Sequence, residues 1–153
     1  MTKKPMAYTP GAVRTRLMQD PDFMNLLHGG TISCREVPDP LTLPHVTIAA
    51  VGHTGADPMA RRVIVQVTPW VPGQDVTGFD EDPDVTAWNI ATAAAQILHR
   101  TKPVVVDDEN AFVGRWVDGP IQLYDKSRGA DRVLYYAPIR VETHIRTRSK
   151  FGI

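Results

Sequence analysis

The sequence of 153 residues has little of what several common protein chemistries require. It contains one cysteine, Cys34, which excludes an internal disulfide and a zinc site built from several cysteines. It has no run of about 20 apolar residues that could cross a membrane, and no apolar segment of signal-peptide length follows the lysines near its start. We therefore expect a soluble protein that contacts no membrane.

Motifs of common enzymes and of nucleotide-binding or metal-binding sites are missing. The chain has no GxGxxG, GxxxxGK[ST], HExxH, GxSxG or CxxC pattern. Its histidines are scattered, and the nearest thing to a polar site is His53 with Asp57 in a predicted loop. Neither acidic run, at residues 80–84 or 107–109, has the spacing of a calcium loop. The sequence therefore predicts no catalytic residue, no metal ligand and no cofactor.

The net charge is zero, but the two signs are separated along the chain. Residues 75–110 hold eight acids and two bases, whereas residues 125–150 hold seven bases and three acids. Two solvated faces of one domain would explain this separation, and so would contact between the two regions in neighbouring copies of the protein. On the second interpretation, the candidates for a subunit or partner interface in these regions are Asp80, Glu81, Asp82, Arg140, Arg146 and Arg148, and we add Arg61 and Arg62 to them.

Start and stop signals predict two helices near the beginning of the chain and a longer one in the middle. Thr9 followed by proline suits a helix start, and Asp20 repeats that signal for a short helix that two glycines end. The long helix is predicted to begin at residues 82–84 and to run to about His99. Its apolar stripe is rich in alanine, so it should lie close to a sheet. Trp88, at the border of the stripe, should lie at the flank of the core, the alternative being an exposed contact residue.

Runs of β-branched residues between glycines and prolines predict strands. Three of them lie at residues 32–37, 45–51 and 61–70, and the last two should form a hairpin with a projecting tip. Two more strands follow, one in residues 113–125 and one near the end of the chain, with a turn at Gly129 between them.

Helices and strands do not alternate regularly, which favours an α+β fold over a doubly wound one. We expect a mostly antiparallel sheet of about four to five strands, with one long helix and a shorter N-terminal helix packed on it. The length fits a single domain over residues 1–153, with a flexible N-terminus at 1–8 and a basic C-terminal tail at 146–153.

The last predicted strand is longer than the domain that should hold it. Apolar and charged residues alternate from Arg132 to Arg148, and at about 3.3 Å per residue these seventeen residues would stretch roughly 56 Å. A compact domain of this length is only about 38 Å across. Either the strand bends at Pro138, or its end leaves the domain and pairs with a neighbouring subunit.

Nucleic-acid binding is an alternative because Arg140, Arg146 and Arg148 share one face of that strand and could meet phosphates. The zero net charge and the lack of aromatic residues interleaved on that face count against it. The pattern is compatible with incidental contact with DNA and not with sequence-specific recognition.

In the order of its elements, the chain resembles the tail terminator family of long, non-contractile-tailed bacteriophages, also called tail completion or minor tail proteins. The segments that carry the resemblance are TPGAVRTRLMQDPDFMNLL, LPHVTIAAV, RRVIVQVTPW, DVTAWNIATAAAQIL and RVLYYAPIRVET. They are spread over residues 9–143, which is nearly the whole chain, and they match as hydrophobic patterns in a given order.

The resemblance implies an antiparallel sheet with helices packed on it and six copies in a ring. Such a protein is made in the host cytoplasm and lies in the virion, between the tail tube and the head connector. Its partners would be other copies of itself, the tail tube protein, the connector, and DNA that passes through the bore without sequence-specific binding. The alternatives are another neck or connector component, a small hydrolase that uses Cys34 and a histidine, and a DNA-binding domain.

Overall fold

The computed structural model describes residues 8–54, 62–105 and 110–147. The helices in these ranges are α1 (Thr9–Met18), α2 (Pro21–Leu26), α3 (Gln74–Thr77) and α4 (Pro83–Leu98). The strands are β1 (Thr31–Ser33), β2 (His45–Thr54), β3 (Arg62–Pro72), β4 (Arg100–Val105), β5 (Asn110–Asp118), β6 (Leu123–Asp125), β7 (Leu134–Tyr136) and β8 (Ile139–Thr147). This arrangement confirms the predicted α+β class.

One sheet contains all the described strands, in the order β1-β2-β3-β8-β5-β4, with β7 paired to β3 and β6 paired to β7. The β1–β2 pair is parallel and the other pairs are antiparallel, so the sheet is mostly antiparallel as predicted. The described residues form eight strands where four to five were expected. The difference comes from β4, which was not predicted, and from two predicted strands that are each divided, into β5 and β6 and into β7 and β8.

The long strand near the end of the chain is broken at Ala137 and Pro138, which confirms the bend. Leu134–Tyr136 pairs with residues 70–72 at the end of β3, whereas Ile139–Thr147 pairs with residues 62–67 at its beginning and with β5. The longer piece has nine residues, or about 30 Å, which fits within the domain. Because β8 is flanked by β3 and β5, its length gives no reason to expect a neighbouring chain beside it.

The core lies between the helices and one face of the sheet. On β3, Val63, Val65 and Val67 are buried, and they alternate with Arg62, Ile64 and Gln66 on the opposite face. The buried side of α4 is rich in alanine, as predicted, and packs against β3, β5, β7 and β8. The helices therefore leave the other face of the sheet uncovered.

The predicted helix boundaries are close to the observed ones. Asp20 precedes α2 and its carboxylate accepts a hydrogen bond from the Phe23 N–H at 2.9 Å, so this start is confirmed. The first helix begins one residue earlier than predicted, because Tyr8 occupies the capping position and Thr9 is already helical. In the described ranges, none of the helices has the length and apolar character needed to cross a membrane.

The favoured position of Trp88 on α4 was wrong, and the strand after this helix was missed. Trp88 is 41% exposed instead of lying at the flank of the core. Its neighbours on the buried stripe are alanines, which bring the helix close to the sheet and leave the larger indole outside. The helix ends near His99 as predicted, but the strand β4 that follows it was not predicted; it contains Lys102 and Pro103, and a proline is tolerated there because β4 is an edge strand.

Candidate interaction surfaces

Three arginines lie on the uncovered face of the sheet, and we call Arg62, Arg115 and Arg140 the basic sheet face. The Arg62 Nη1 lies 3.4 Å from one oxygen of Glu142, and the Arg115 Nη2 lies 3.5 Å from the other. Arg140 donates from its Nε to the Gln66 amide oxygen at 3.3 Å. A single carboxylate is thus shared by two guanidinium groups, and the face keeps an excess of positive charge.

The arginines of this face remain accessible. The side chains of Arg62 and Arg115 are 61% and 67% exposed, whereas that of Glu142 is 19% exposed. Exposed ion pairs of this kind contribute only about 0–1 kcal/mol to stability. The fold therefore gains little from these arginines, and their exposed N–H groups can pair with carboxylates of a partner.

An acidic surface surrounds the start of α4. We use that term for Asp75, Asp80, Glu81, Asp82 and Asp84, in a stretch from residue 74 to residue 98 that has no lysine or arginine. Asp82 precedes the first residue of α4 and Asp84 lies in its first turn, where negative charge suits the helix dipole. In the part of the chain that the structure describes, none of these acids forms an ion pair.

Local contacts hold this acidic surface in place. The Glu81 carboxylate accepts hydrogen bonds from the Thr86 hydroxyl at 2.7 Å and from the Asn89 amide at 3.3 Å. The Phe79 ring packs against His28 in the turn after the second helix, with ring centroids 4.6 Å apart. The carboxylates are therefore presented on an ordered segment of the helical layer.

The acidic surface and the basic sheet face lie on opposite sides of the sheet. The helix that carries the acids packs on the face that holds Val63, Val65 and Val67, whereas the arginines alternate to the other face. The two surfaces cannot neutralise each other within one molecule. They are complementary in charge for a contact between two molecules.

The predicted interface residues fall into three groups. Arg62 and Arg140 share the basic sheet face, while Asp80, Glu81 and Asp82 share the acidic surface. Arg146 lies in β8 opposite Ala111 in the strand register. Arg61 and Arg148 lie outside the described residues.

Arg115 completes the basic sheet face and was missed by the sequence analysis. It lies opposite Glu142 in the register of β5 and β8. The sequence pattern could indicate an outward-facing arginine in β5. It could not show that β5 pairs with β8, which is distant in sequence. Only the pairing of the strands brings the two residues together.

Exposed apolar side chains are concentrated in the segment from Trp116 to Tyr124. Trp116, Val117, Ile121, Leu123 and Tyr124 are between 37% and 63% exposed. The segment is held in shape by a hydrogen bond from the Trp116 indole N–H to the Gly119 carbonyl at 3.1 Å, and by packing of Gly119 against Pro138. The sequence predicts only a strand in this segment and gives no indication of an interaction role.

A cleft of about 310 Å³ lies beside α3 and β7. Its apolar lining includes Leu41, Pro72, Val76, Leu134 and Tyr135, and its charged lining consists of Asp39, Asp75, Arg128, Asp131 and Arg132.

Arg128 fixes one wall of this cleft. It donates to the carbonyls of Pro38 at 2.7 Å and Val37 at 3.1 Å, and it lies 3.8 Å from the Asp39 carboxylate. This arginine joins the turn before β7 to the loop after β1, so the cleft is a feature of the folded chain.

The arrangement around Cys34 does not favour a thiol nucleophile. Burial raises the pKa of the Cys34 thiol, and a hydrogen bond to Tyr8 and the charge of Arg14 offset this only in part. His45 is buried, with its Nδ1 2.7 Å from the Thr31 hydroxyl and its Nε2 3.0 Å from the Ser33 hydroxyl. The thiol is therefore held in its protonated form, and both nitrogens of the nearby histidine have hydroxyl partners.

The polar pair His53 and Asp57 cannot be described as a site, because Asp57 lies outside the described residues. Within residues 8–54, 62–105 and 110–147, no group of three or more histidine, cysteine or acidic side chains is placed to hold a metal ion. The features with a defined geometry are therefore surfaces and a cleft.

Comparisons with known proteins agree with this architecture at the level of the fold. No protein family model matches the chain, and no curated protein matches it. Among solved structures, a chain of the structure described as "Virion of native gene transfer agent (GTA) particle" is similar to it, with a TM-score of 0.54 and 16% sequence identity. The similarity covers 90% of this chain and 99% of the other. At this identity it establishes a shared fold.

Proposed function

We propose that this chain is a structural virion protein, a tail terminator that caps the tail tube as a ring and provides the joining surface for the head connector. The observation that carries the proposal is the fold shared with a chain of a gene transfer agent virion, over 99% of that chain. The order of helices and strands, which resembles the tail terminator family, supports the finer assignment.

Subunit contacts in this ring would join unlike surfaces. The basic sheet face of one copy would meet the acidic surface of the next, and a contact between two different surfaces closes into a ring when repeated about a rotation axis. The position of these surfaces on opposite sides of the sheet supports such a head-to-tail arrangement. We propose six copies, with the tail tube protein and the head connector as the other partners.

The arginines of the basic sheet face would serve protein contacts and not hold DNA. Phosphate contacts from several arginines bind nucleic acid tightly at low salt, which would impede passage through a bore. The chain would therefore form a passage for DNA without sequence-specific binding, and it would need no cofactor. Substantial retardation of a duplex by the purified protein at physiological salt would contradict this assignment.

The role is tested by measuring the mass of the purified protein alone and after mixing with tail tubes. We expect six copies to bind at one end of each tube. Another neck component is the alternative, and the same measurement distinguishes it. Binding to filled heads, with none to tail tubes, would replace the tail terminator with a connector component.

The ring contact is tested by reversing charge on each surface in turn. One variant carries Arg62→Glu and Arg140→Glu, and the other carries Glu81→Lys and Asp82→Lys. Each should lose self-association on tubes, and mixing the two should restore contacts at which the reversed charges face each other. The matched control is Arg35→Glu, an exposed arginine outside both surfaces. Unaltered assembly by both variants would contradict the proposed contact.

A further inference from the structure

The cleft beside α3 has an apolar floor and a charged rim. Leu134 is buried at the floor, while Val76 is 44% exposed at the opening. Asp75 and Asp131 lie on the rim, and in the described ranges neither forms an ion pair. Arg132 is also on the rim, whereas Arg128 is held by two carbonyls and Asp39. This surface suits an apolar side chain that is flanked by bases.

We infer that the cleft binds residues 148–153 of a second copy of this chain. Their sequence, RSKFGI, places Phe151 next to Lys150 and close to Arg148. The Phe151 ring would occupy the apolar floor, and the bases would face the carboxylates of Asp75 and Asp131. The inference rests on the proposed self-association and adds a specific site to it.

The segment cannot reach the cleft of its own molecule. Leu134 at the cleft lies opposite Pro72, and His144 lies opposite Arg62, at the other end of the same strand. The ten residue steps from 62 to 72 correspond to about 33 Å of strand.

Phe151 follows the end of β8 by only four residues, which span at most about 14 Å. It therefore falls short of its own cleft by roughly 20 Å or more. A second copy can supply the segment because its β8 is not tied to the first molecule.

The volume of the cleft limits the size of the partner. A cleft of about 310 Å³ can accept one aromatic side chain and its immediate neighbours, but not a folded domain. Burial of a single side chain gives only a modest gain in binding. Such a contact would be weak alone and effective when repeated around a ring.

The test is binding of a labelled peptide of residues 146–153, RTRSKFGI, to the full chain carrying Phe151→Ala. This substitution prevents the receptor's own segment from competing. We expect saturable binding by fluorescence anisotropy, weakened at least tenfold by Val76→Arg in the receptor or by alanine in place of Phe151 in the peptide. Raising the salt concentration should weaken binding further, because the flanking contacts are between charges.

Val85→Arg is the matched control, since Val85 is 41% exposed and does not line the cleft. Circular dichroism checks that both receptors fold. Absence of saturable binding, or equal binding to the Val76→Arg and Val85→Arg receptors, would overturn the inference.

The peptide experiment and the ring experiment fail independently. Rings of six on tail tubes without peptide binding would overturn only the cleft assignment. Peptide binding that depends on Val76, without any binding to tubes, would overturn only the tail terminator role. Binding of the tail tube protein in the cleft, blocked by Val76→Arg while the peptide does not bind, would replace the segment with another occupant.

Discussion

Arg62 and Glu142 are 80 residues apart in the chain, yet their side chains meet across β3 and β8 with 3.4 Å between nitrogen and oxygen. Because the arginine is 61% exposed, we expect Arg62→Ser to lower the free energy of unfolding by less than about 1 kcal/mol. Urea denaturation measures this change. A loss well above that value would mean that the pair serves the fold, and it would weaken the argument for a partner contact.

The stability of the protein should fall as the solution becomes mildly acidic. Burial lowers the pKa of His45 in the folded chain below its ordinary value of 6.5. The unfolded chain therefore binds more protons at His45 below pH 6.5, and the stability held above that pH is lost as the pH falls toward the folded pKa. We expect this loss to be smaller in His45→Gln, as measured by urea denaturation between pH 7 and pH 5.

The exposed histidine His53 provides the control for this effect. His53→Gln should keep the pH dependence of the unmodified chain. If His45→Gln and the unmodified chain lost stability in parallel, the burial of His45 would not be the cause.

Two glycines should respond differently to alanine. A Cβ at Gly30 would overlap the carbonyl oxygen of Pro44, a backbone atom that cannot move without shifting the chain before β2. Gly78 has a φ of 74° and no atom near its Cβ position, so alanine there meets only backbone strain of about 1 kcal/mol. We expect Gly30→Ala to cost about 3 kcal/mol or more, measured by chemical denaturation. Equal losses would contradict the predicted overlap.

The cap of the second helix should contribute measurably to stability. The Asp20 carboxylate accepts the Phe23 N–H, so Asp20→Ala should cost about 1 kcal/mol, and Asp20→Asn should cost less because the amide oxygen still accepts. Asp82 provides a comparison, since it precedes α4 without a side-chain cap bond. Thermal denaturation should therefore show a smaller loss for Asp82→Ala, and the reverse order would contradict this account.

The parts of the fold with sustained periodicity were predictable from the sequence. Val63, Val65 and Val67 alternate along β3, and Ala87, Ala91 and Ala94 repeat on α4, so local residues alone define both buried faces. By contrast, β6 and β7 have three residues each; they pair with each other, and β7 also pairs with the distant strand β3. A strand that short has no period that a sequence pattern can reveal.

The surfaces were less predictable from the sequence than the buried faces, because they depend on which strands pair. Alternation placed Arg62 and Arg140 on the polar side of their strands, and strand pairing then brought them to one face. The cleft had no local signal, because Arg128 binds the carbonyl of Pro38, which is 90 residues away. Alternation also predicted one continuous strand from residue 132 onward, and only the pairing with β3 shows how Pro138 divides it.

Because of the break at Pro138, the third strand pairs with two different parts of the sheet, which we call its two halves. One half is the small β6–β7 hairpin with the cleft beside it, and the other is the β8–β5–β4 ribbon. Each half pairs with its own stretch of β3, at residues 70–72 and 62–67. An insertion or deletion in one half therefore need not change the strand register of the other. A lineage of such proteins could therefore remodel the end that carries the cleft while leaving the strand pairing at the opposite end unchanged.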